Sequence, residues 1–116
     1  MGILFKIHRK LGSTYQEKYY QRAIEIELQQ NHVFFQKEVM INLSYEKCKI
    51  GKYFLDFVVD NKIALEIKTV PFLRDEFYKQ LLAYLDTTNL KLGIIINFRA
   101  PRLEYKRLIN PKIRKY

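Results

Sequence analysis

Residues 56–68 read DFVVDNKIALEIK, and this stretch decides the fold. Two apolar runs flank a polar turn, a pattern that predicts a β-hairpin. The charged side chains that interrupt the apolar runs are Asp56, Glu66 and Lys68. Because burying an unpaired charge is costly, charged residues in otherwise apolar strands require partners or a chemical role.

The register of this hairpin decides which charged side chains meet. Side chains alternate between faces along a strand, so Glu66 and Lys68 share one face. If the loop is the three residues after Val59, that residue pairs with Ile63 and Asp56 lies opposite Glu66. A two-residue loop would place the carboxylates on opposite faces, since a one-residue slip reverses every side chain. The three-residue loop therefore predicts that two acids and a lysine converge on one patch of the sheet.

Such a cluster has a chemical use. Two adjacent carboxylates repel each other unless a cation lies between them, and hard divalent ions such as Mg²⁺ prefer oxygen ligands. A nearby lysine can orient or deprotonate a water and stabilise charge on a phosphate. The alternative is that Glu66 and Lys68 are exposed neighbours and Asp56 is a charge near a turn. The apolar residues around Asp56, from Tyr53 to Val59, weigh against this alternative because they indicate a central strand.

The composition indicates one domain with a polyanionic partner. The chain has 116 residues, 15% of them aromatic, and a net charge of +9 with a pI near 9.7. This basic excess favours nucleic acid or an acidic membrane surface as partner. No apolar run is long enough to span a membrane, and no signal peptide is recognisable. The single cysteine, Cys48, excludes an internal disulfide, so we expect a cytoplasmic protein.

The remaining sequence predicts an α/β domain with a mixed sheet, in the order helix, three strands, helix, strand. Residues 1–13 are interpreted as a short basic arm or a first short element. A capping box of Thr14 and Glu17 predicts the start of the first helix. The other expected elements are the helix end near Asn31, a strand over Val33–Tyr45, a turn over Lys47–Lys52, a helix over Arg74–Thr87, strands over Leu92–Ile96 and Leu103–Ile109, and a basic tail over Pro111–Tyr116.

Two helical residues are further candidates for the site. Glu17 shares a helix face with Tyr20 and Ile24, where a carboxylate requires a cation, although the capping box alone would also explain it. Gln80 lies beside the apolar face of the later helix and could hydrogen-bond a phosphate, a water or the lysine. The sequence contains no cysteine-pair zinc motif and no glycine-rich nucleotide-binding loop.

These residues together resemble the PD-(D/E)XK nuclease superfamily. Asp56 is followed after about ten residues by Glu66-Ile67-Lys68, with Leu55 in place of the conventional proline. The closer resemblance is to the small bacterial GxxExxY proteins, with threonine replacing the glycine of the name. It extends over roughly residues 11–110, through the segments TYQEKYY at 14–20, LEIK at 65–68, QLLAYL at 80–85, LGIIINF at 92–98 and PRLEYKR at 101–107.

The resemblance implies a restriction-endonuclease-like αβββαβ core and phosphodiester hydrolysis that depends on Mg²⁺ or Mn²⁺. It implies that Asp56, Glu66 and the main-chain carbonyl of Ile67 hold the metal and that Lys68 acts on the attacking water. Glu17 would add a ligand, as in archaeal Holliday-junction resolvases, and Gln80 would complete the catalytic set. The expected protein is a metal-dependent DNA endonuclease, with structured or junction DNA as a candidate substrate.

The expected partner is nucleic acid, above all DNA, and a homodimer is expected because one site cuts one strand. The residues expected to bind DNA are Arg9, Lys10, Arg99, Arg102, Lys106 and Arg107. Two other interpretations remain: an inactive nucleic-acid-binding module that retains the site, and a subunit of a larger assembly that uses Tyr15, Tyr19 and Tyr116 as interface residues. The presence of Asp56, Glu66 and Lys68 together favours the nuclease.

Overall fold

The structure, a computed structural model, describes residues 1–114, which form four helices and a five-stranded sheet. The helices are α1 (Gly2–Leu11), α2 (Glu17–Gln30), α3 (Asp75–Leu85) and α4 (Pro111–Arg114). The strands are β1 (Phe35–Tyr45), β2 (Cys48–Val59), β3 (Ile63–Lys68), β4 (Leu92–Asn97) and β5 (Glu104–Ile109). Within this part of the chain, no helix has the length and apolar character needed to cross a bilayer.

The sheet is mixed, and its spatial order β1-β2-β3-β4-β5 follows the order of the chain. Adjacent strands are antiparallel except β3 and β4, which are parallel and connected through α3. A parallel pair requires such a crossover, because a tight turn can join only antiparallel strands. The predicted α/β fold with a restriction-endonuclease-like core is confirmed.

The β2–β3 hairpin has the predicted register. Its loop is Asp60-Asn61-Lys62, and Val59 pairs with Ile63 while Phe57 pairs with Leu65. Asp60 and Asn61 both have φ of 54°, a left-handed conformation that these two residue types tolerate better than most. Regular pairing ends at Phe57 and Leu65, so the two strands diverge immediately before the two acids.

Apolar side chains pack on both faces of the sheet. Along β2, the regular alternation of side chains between these faces is interrupted at Asp56. Leu55 belongs to the cluster beneath α3, whereas Phe57 belongs to the cluster beneath α1 and α2. Regular alternation would place Leu55 and Phe57 on the same face. Glu38 of β1 lies opposite, between the pairs Lys37–Phe57 and Val39–Leu55, and has φ of 51°. The pleat of both strands is therefore reversed at the position of Asp56.

Of the two interpretations of residues 1–13, the arm is wrong and the first short element is correct, because residues 2–11 form α1. Leu4 and Ile7 are buried in the cluster beneath α1 and α2. The carbonyl of Ala100 lies 2.9 Å from Nε2 of His8 and connects the end of α1 to the loop after β4. The predicted C-terminal tail is also partly helical, as α4, and its last residues, 115–116, lie outside the described part.

The predicted capping box is also wrong. Helix α2 begins at Glu17 with Gln16 as N-cap, and no side chain caps it. Instead, Tyr20 organises the preceding loop: its hydroxyl donates to the Gly12 carbonyl at 2.6 Å and accepts from the Tyr15 N–H at 3.3 Å. Glu17 is therefore not engaged as a capping residue.

The turn between β1 and β2 is shorter than the predicted Lys47–Lys52 segment. Tyr45 pairs with Cys48, so only Glu46 and Lys47 form the turn. Both have positive φ, 50° and 65°. Gly51, which suggested a turn, lies within β2.

Candidate active site

Asp56 and Glu66 lie where β2 and β3 diverge, and each binds the backbone of the opposite strand. The Asp56 N–H donates to Oε1 of Glu66 at 3.0 Å, and the Ile67 N–H donates to Oδ2 of Asp56 at 2.8 Å. The side chains thus satisfy backbone groups that the ladder no longer pairs, which such buried groups require. The register prediction that brings Asp56 to Glu66 is confirmed.

The second oxygen of Glu66 is bound to Tyr53, a residue that the sequence did not indicate. The Tyr53 hydroxyl donates to Oε2 at 2.8 Å, and the Tyr53 ring stacks on Tyr84 of α3 with ring centroids 3.9 Å apart. In a regular strand Tyr53 and Asp56 would point to opposite faces. The pleat reversal at Asp56 brings Tyr53 into the site, and no sequence pattern signals that reversal.

Lys68 lies at the end of β3 and approaches α3. Its Nζ is 4.8 Å from the ring centroid of Phe77, within the range of a cation–π contact. The same ammonium lowers the pKa values of Glu17, Asp56 and Glu66, so it lies close to all three. Lys68 is thus within electrostatic range of the two acids, its role at the site stays a prediction, and Phe77 is a neighbour that the sequence did not indicate.

The site disfavours a second negative charge. Burial, and then the charge of Asp56, raise the pKa of Glu66 from 4.5 to about 7. Burial likewise raises the pKa of Asp56, against the opposing effects of the Ile67 N–H and Lys68. Strongly shifted carboxylates at a cleft are a frequent property of catalytic sites. A divalent cation would remove this penalty by neutralising both acids.

Glu17 lies within electrostatic range of Asp56 but does not join the two acids in a closed ligand set. Its pKa is raised by burial and by the charge of Asp56. Its Oε1 accepts a long hydrogen bond from Gln21, at 3.4 Å. Among residues 1–114, no three His, Cys, Asp or Glu side chains are positioned to hold a metal ion together. Glu17 as a third ligand therefore stays a prediction.

The family model of the PD-(D/E)XK nuclease superfamily matches residues 1–108. The chain belongs to the PD-(D/E)XK nuclease superfamily. Comparisons with curated proteins and with solved structures gave no match. The superfamily consists generally of nucleases that typically use divalent metal ions. The assignment of Asp56, Glu66 and Lys68 to the two acids and the lysine of its signature stays a prediction.

The donor set of this PD-(D/E)XK site suits a hard divalent cation. Asp56 and Glu66 supply carboxylate oxygens, the ligands that Mg²⁺ and Mn²⁺ prefer. Oδ2 of Asp56 and both oxygens of Glu66 already accept hydrogen bonds, which orient them. The main-chain carbonyl of Ile67 is the predicted third ligand, and Mg²⁺ usually keeps several waters. Two carboxylates together with water are therefore a donor set that fits a hard divalent cation.

A cleft of about 210 Å³ leads to Asp56 from the side of α2. Its charged lining residues include Lys18, Arg22 and Lys37, which the sequence did not indicate. Glu38, also in the lining, raises the pKa of Asp56. A separate cleft contains Arg99 together with Thr69, the residue after Lys68. Of the predicted DNA-binding residues, Arg99 therefore lines a cleft that also contains the neighbour of Lys68.

The other predicted binding residues are exposed and lie in two places. Arg9 and Lys10 are at the end of α1, which the His8–Ala100 contact connects to the loop that contains Arg102. Lys106 and Arg107 are on β5, where Nζ of Lys106 lies 4.8 Å from the Tyr78 ring centroid. The Gln80 side chain is exposed on α3 and makes no hydrogen bond to another described residue, so its catalytic role stays a prediction.

Proposed function

We propose that this chain is a metal-dependent DNA endonuclease of the GxxExxY branch, which hydrolyses phosphodiester bonds in structured or junction DNA. One observation supports this most strongly: the buried carboxylate of Glu66 and the partly buried carboxylate of Asp56 each bind the opposite strand of the hairpin, near the ammonium of Lys68. Tyr20 of the branch name also has a structural role, since its ring stacks on Phe98 with centroids 4.4 Å apart.

The acids would hold Mg²⁺ or Mn²⁺ with the carbonyl of Ile67, and Glu17 would contribute when substrate or metal draws it closer. The bound ion would supply Lewis acidity and lower the pKa of a water. Asp56 and Glu66 contribute by keeping fixed orientations through their hydrogen bonds to the opposite strand. Orientation of this kind matters because preorganised groups avoid reorganisation during the reaction.

Lys68 would act on the attacking water and on the charge that develops on the phosphate. The Phe77 ring limits where the ammonium can lie. Gln80 would assist from α3, and the basic residues at the end of α1 and around Arg99 would bind the DNA backbone. A homodimer would bring two such sites to the two strands of a duplex or junction.

Metal binding is tested by calorimetric titration with Mg²⁺ and Mn²⁺. We expect the wild type to bind one ion per chain and Asp56→Asn to lose most of that affinity, because a carboxylate ligand is replaced by an amide. Asp60→Asn is the matched control, since Asp60 lies in the exposed β2–β3 loop. Equal binding by the wild type and Asp56→Asn would contradict the metal assignment.

Catalysis is tested by cleavage of supercoiled plasmid and of a branched DNA, with and without Mg²⁺. Lys68→Ala should lower the rate on the order of 10²-fold or more while the fold and metal binding are retained, because the lysine acts on charge and is no ligand. Lys62→Ala, at the other end of β3, is the control and should retain activity. If the wild type and Lys68→Ala cleave at the same rate, the cleavage comes from a contaminant and the nuclease proposal fails.

A further inference from the structure

The β1–β2 hairpin extends beyond the region where β2 pairs with β3. Pairing between β2 and β3 is confined to 57–59 with 63–65, whereas β1 and β2 remain paired as far as Tyr45 and Cys48. We refer to residues 39–55 as the distal hairpin. At about 3.4 Å per residue, the six residues from Asp56 to Ile50 reach roughly 20 Å from the site.

One face of the distal hairpin is covered and the other is open. On the covered face, Ile41 is buried and Tyr53 packs against α3. On the open face, Met40 pairs with Phe54, and their exposed fractions are 48% and 47%. Because the covered face packs against α3, the open face lies on the α2 side of the sheet, the side on which the cleft reaches Asp56.

The open face combines an aromatic ring with positive charge. Lys52 is two residues from Phe54 on this face, and its Nζ lies 5.6 Å from the Phe54 ring centroid. The distal hairpin contains three lysines, at 47, 49 and 52, and one acid, Glu46, which gives it a net charge of +2. Exposed rings interspersed with lysines are how proteins bind unpaired bases: the ring stacks on the base and the ammonium attracts the phosphate.

We propose that the open face of the distal hairpin binds unpaired nucleotides of the substrate, with Phe54 stacking on a base and Lys52 contacting the adjacent phosphate. The proposal rests on the proposed function in one respect, that the substrate is nucleic acid. Phe54 is two residues from Asp56, about 7 Å along the strand, on the side from which the cleft reaches Asp56.

Charge and geometry favour this occupant over a second copy of the chain. In a two-fold symmetric dimer the same patch meets itself, so the lysines of the two hairpins would repel each other. Duplex DNA satisfies the lysines but offers no free base face to Phe54, because the faces of stacked bases are covered. An unpaired nucleotide offers both a free base face to Phe54 and a phosphate to the lysines.

The proposal is tested by fluorescence anisotropy with labelled oligothymidine and with a blunt-ended duplex, both in EDTA so that cleavage is prevented. Phe54→Ala should weaken oligothymidine binding about fivefold or more, the scale of a lost base–aromatic stack, and change duplex binding less than about twofold. Phe54→Tyr should restore binding, because tyrosine retains the ring. The control is Phe34→Ala, which removes a ring with 57% of its surface exposed just before β1 and should bind as the wild type does.

The proposal would be overturned if the wild type did not bind oligothymidine, if Phe54→Ala bound it unchanged, or if Phe34→Ala lost as much affinity. A change in sedimentation without a change in affinity would identify a second copy as the occupant and would also overturn it. Because the assay requires no catalysis, its outcome is separable from the nuclease proposal. If cleavage depends on Lys68 but binding does not depend on Phe54, the nuclease proposal stands and the proposal for the distal hairpin fails.

Discussion

Glu66 is the residue whose environment is most unusual. It is a carboxylate with 4% of its surface exposed, and it lies next to a second acid. Its hydrogen bonds to Tyr53 and to the Asp56 N–H favour the charged form, yet burial outweighs them and raises its pKa to about 7. Without a metal, deprotonating Glu66 therefore costs folding free energy.

We expect the metal-free protein to become less stable as the pH rises from about 5 to about 8. An acid with a raised pKa contributes stability below its unfolded-state pKa and loses it as the pH rises through its folded-state pKa, here from 4.5 to about 7. Asp56 and Glu17 are shifted in the same direction and add to the effect. Thermal unfolding in EDTA across this pH range measures the loss of stability.

Glu66→Gln should show a smaller loss over the same pH range, and Glu76→Gln, an exposed control on α3, should behave as the wild type does. Addition of Mg²⁺ should stabilise the wild type more at pH 8 than at pH 5, because protons and metal compete for the same oxygens. A pH dependence that is identical in wild type and Glu66→Gln would contradict the assignment of the shift to this residue.

Single residues of the site were predictable where they followed from strand register. Asp56, Glu66 and Lys68 converge because the loop has three residues, and alternation then determines their faces. Tyr53 and Glu38 were not predictable, because both depend on the pleat reversal at Asp56. That reversal comes from a left-handed φ at Glu38, and glutamate is not a residue type that predicts a left-handed backbone.

Among the elements, α1 shows why the sequence alone did not decide between a short element and an arm. An isolated helix of ten residues is marginal in water, and three consecutive basic residues, 8–10, obscure its apolar pattern. It is stabilised by packing, since Leu4 and Ile7 enter the cluster formed with α2 and the sheet. In contrast, α3 and the strands have clear periodic patterns, and apart from the start of β2 their predicted bounds agree with the observed ones within a few residues.

Ile7→Ala should lower the free energy of unfolding by roughly 2–5 kcal/mol, the usual cost of truncating a buried aliphatic side chain. Arg9→Ala, on the exposed side of the same helix, should change it by less than about 0.5 kcal/mol. Urea unfolding of the two variants makes the comparison. Similar small effects of both would indicate that residues 2–11 do not pack as a helix and would restore the interpretation as an arm.

For the whole molecule, the net charge of +9 is the dominant property for binding a polyanion. The affinity for duplex DNA in EDTA should fall steeply with salt, with a log–log slope of roughly −0.9 for each phosphate neutralised. Arg99→Ala should reduce the magnitude of that slope by about one unit, because Arg99 lies beside the site. Lys62→Ala serves as the control, and a flat salt response of the wild type would indicate a protein partner instead.

The agreement between spatial strand order and chain order has a consequence for folding. Antiparallel neighbours joined by short turns form early, because closing a short loop costs little entropy, whereas the β3–β4 pair must wait for its crossover through α3. Asp56 and Glu66 therefore meet in a hairpin that still faces water, where both can remain ionised. Docking of α3 then buries Glu66, and because burial raises its pKa, the carboxyl group takes up a proton. We thus expect refolding of the metal-free chain to be slower at alkaline pH than at acidic pH, with Glu66→Gln insensitive to the change.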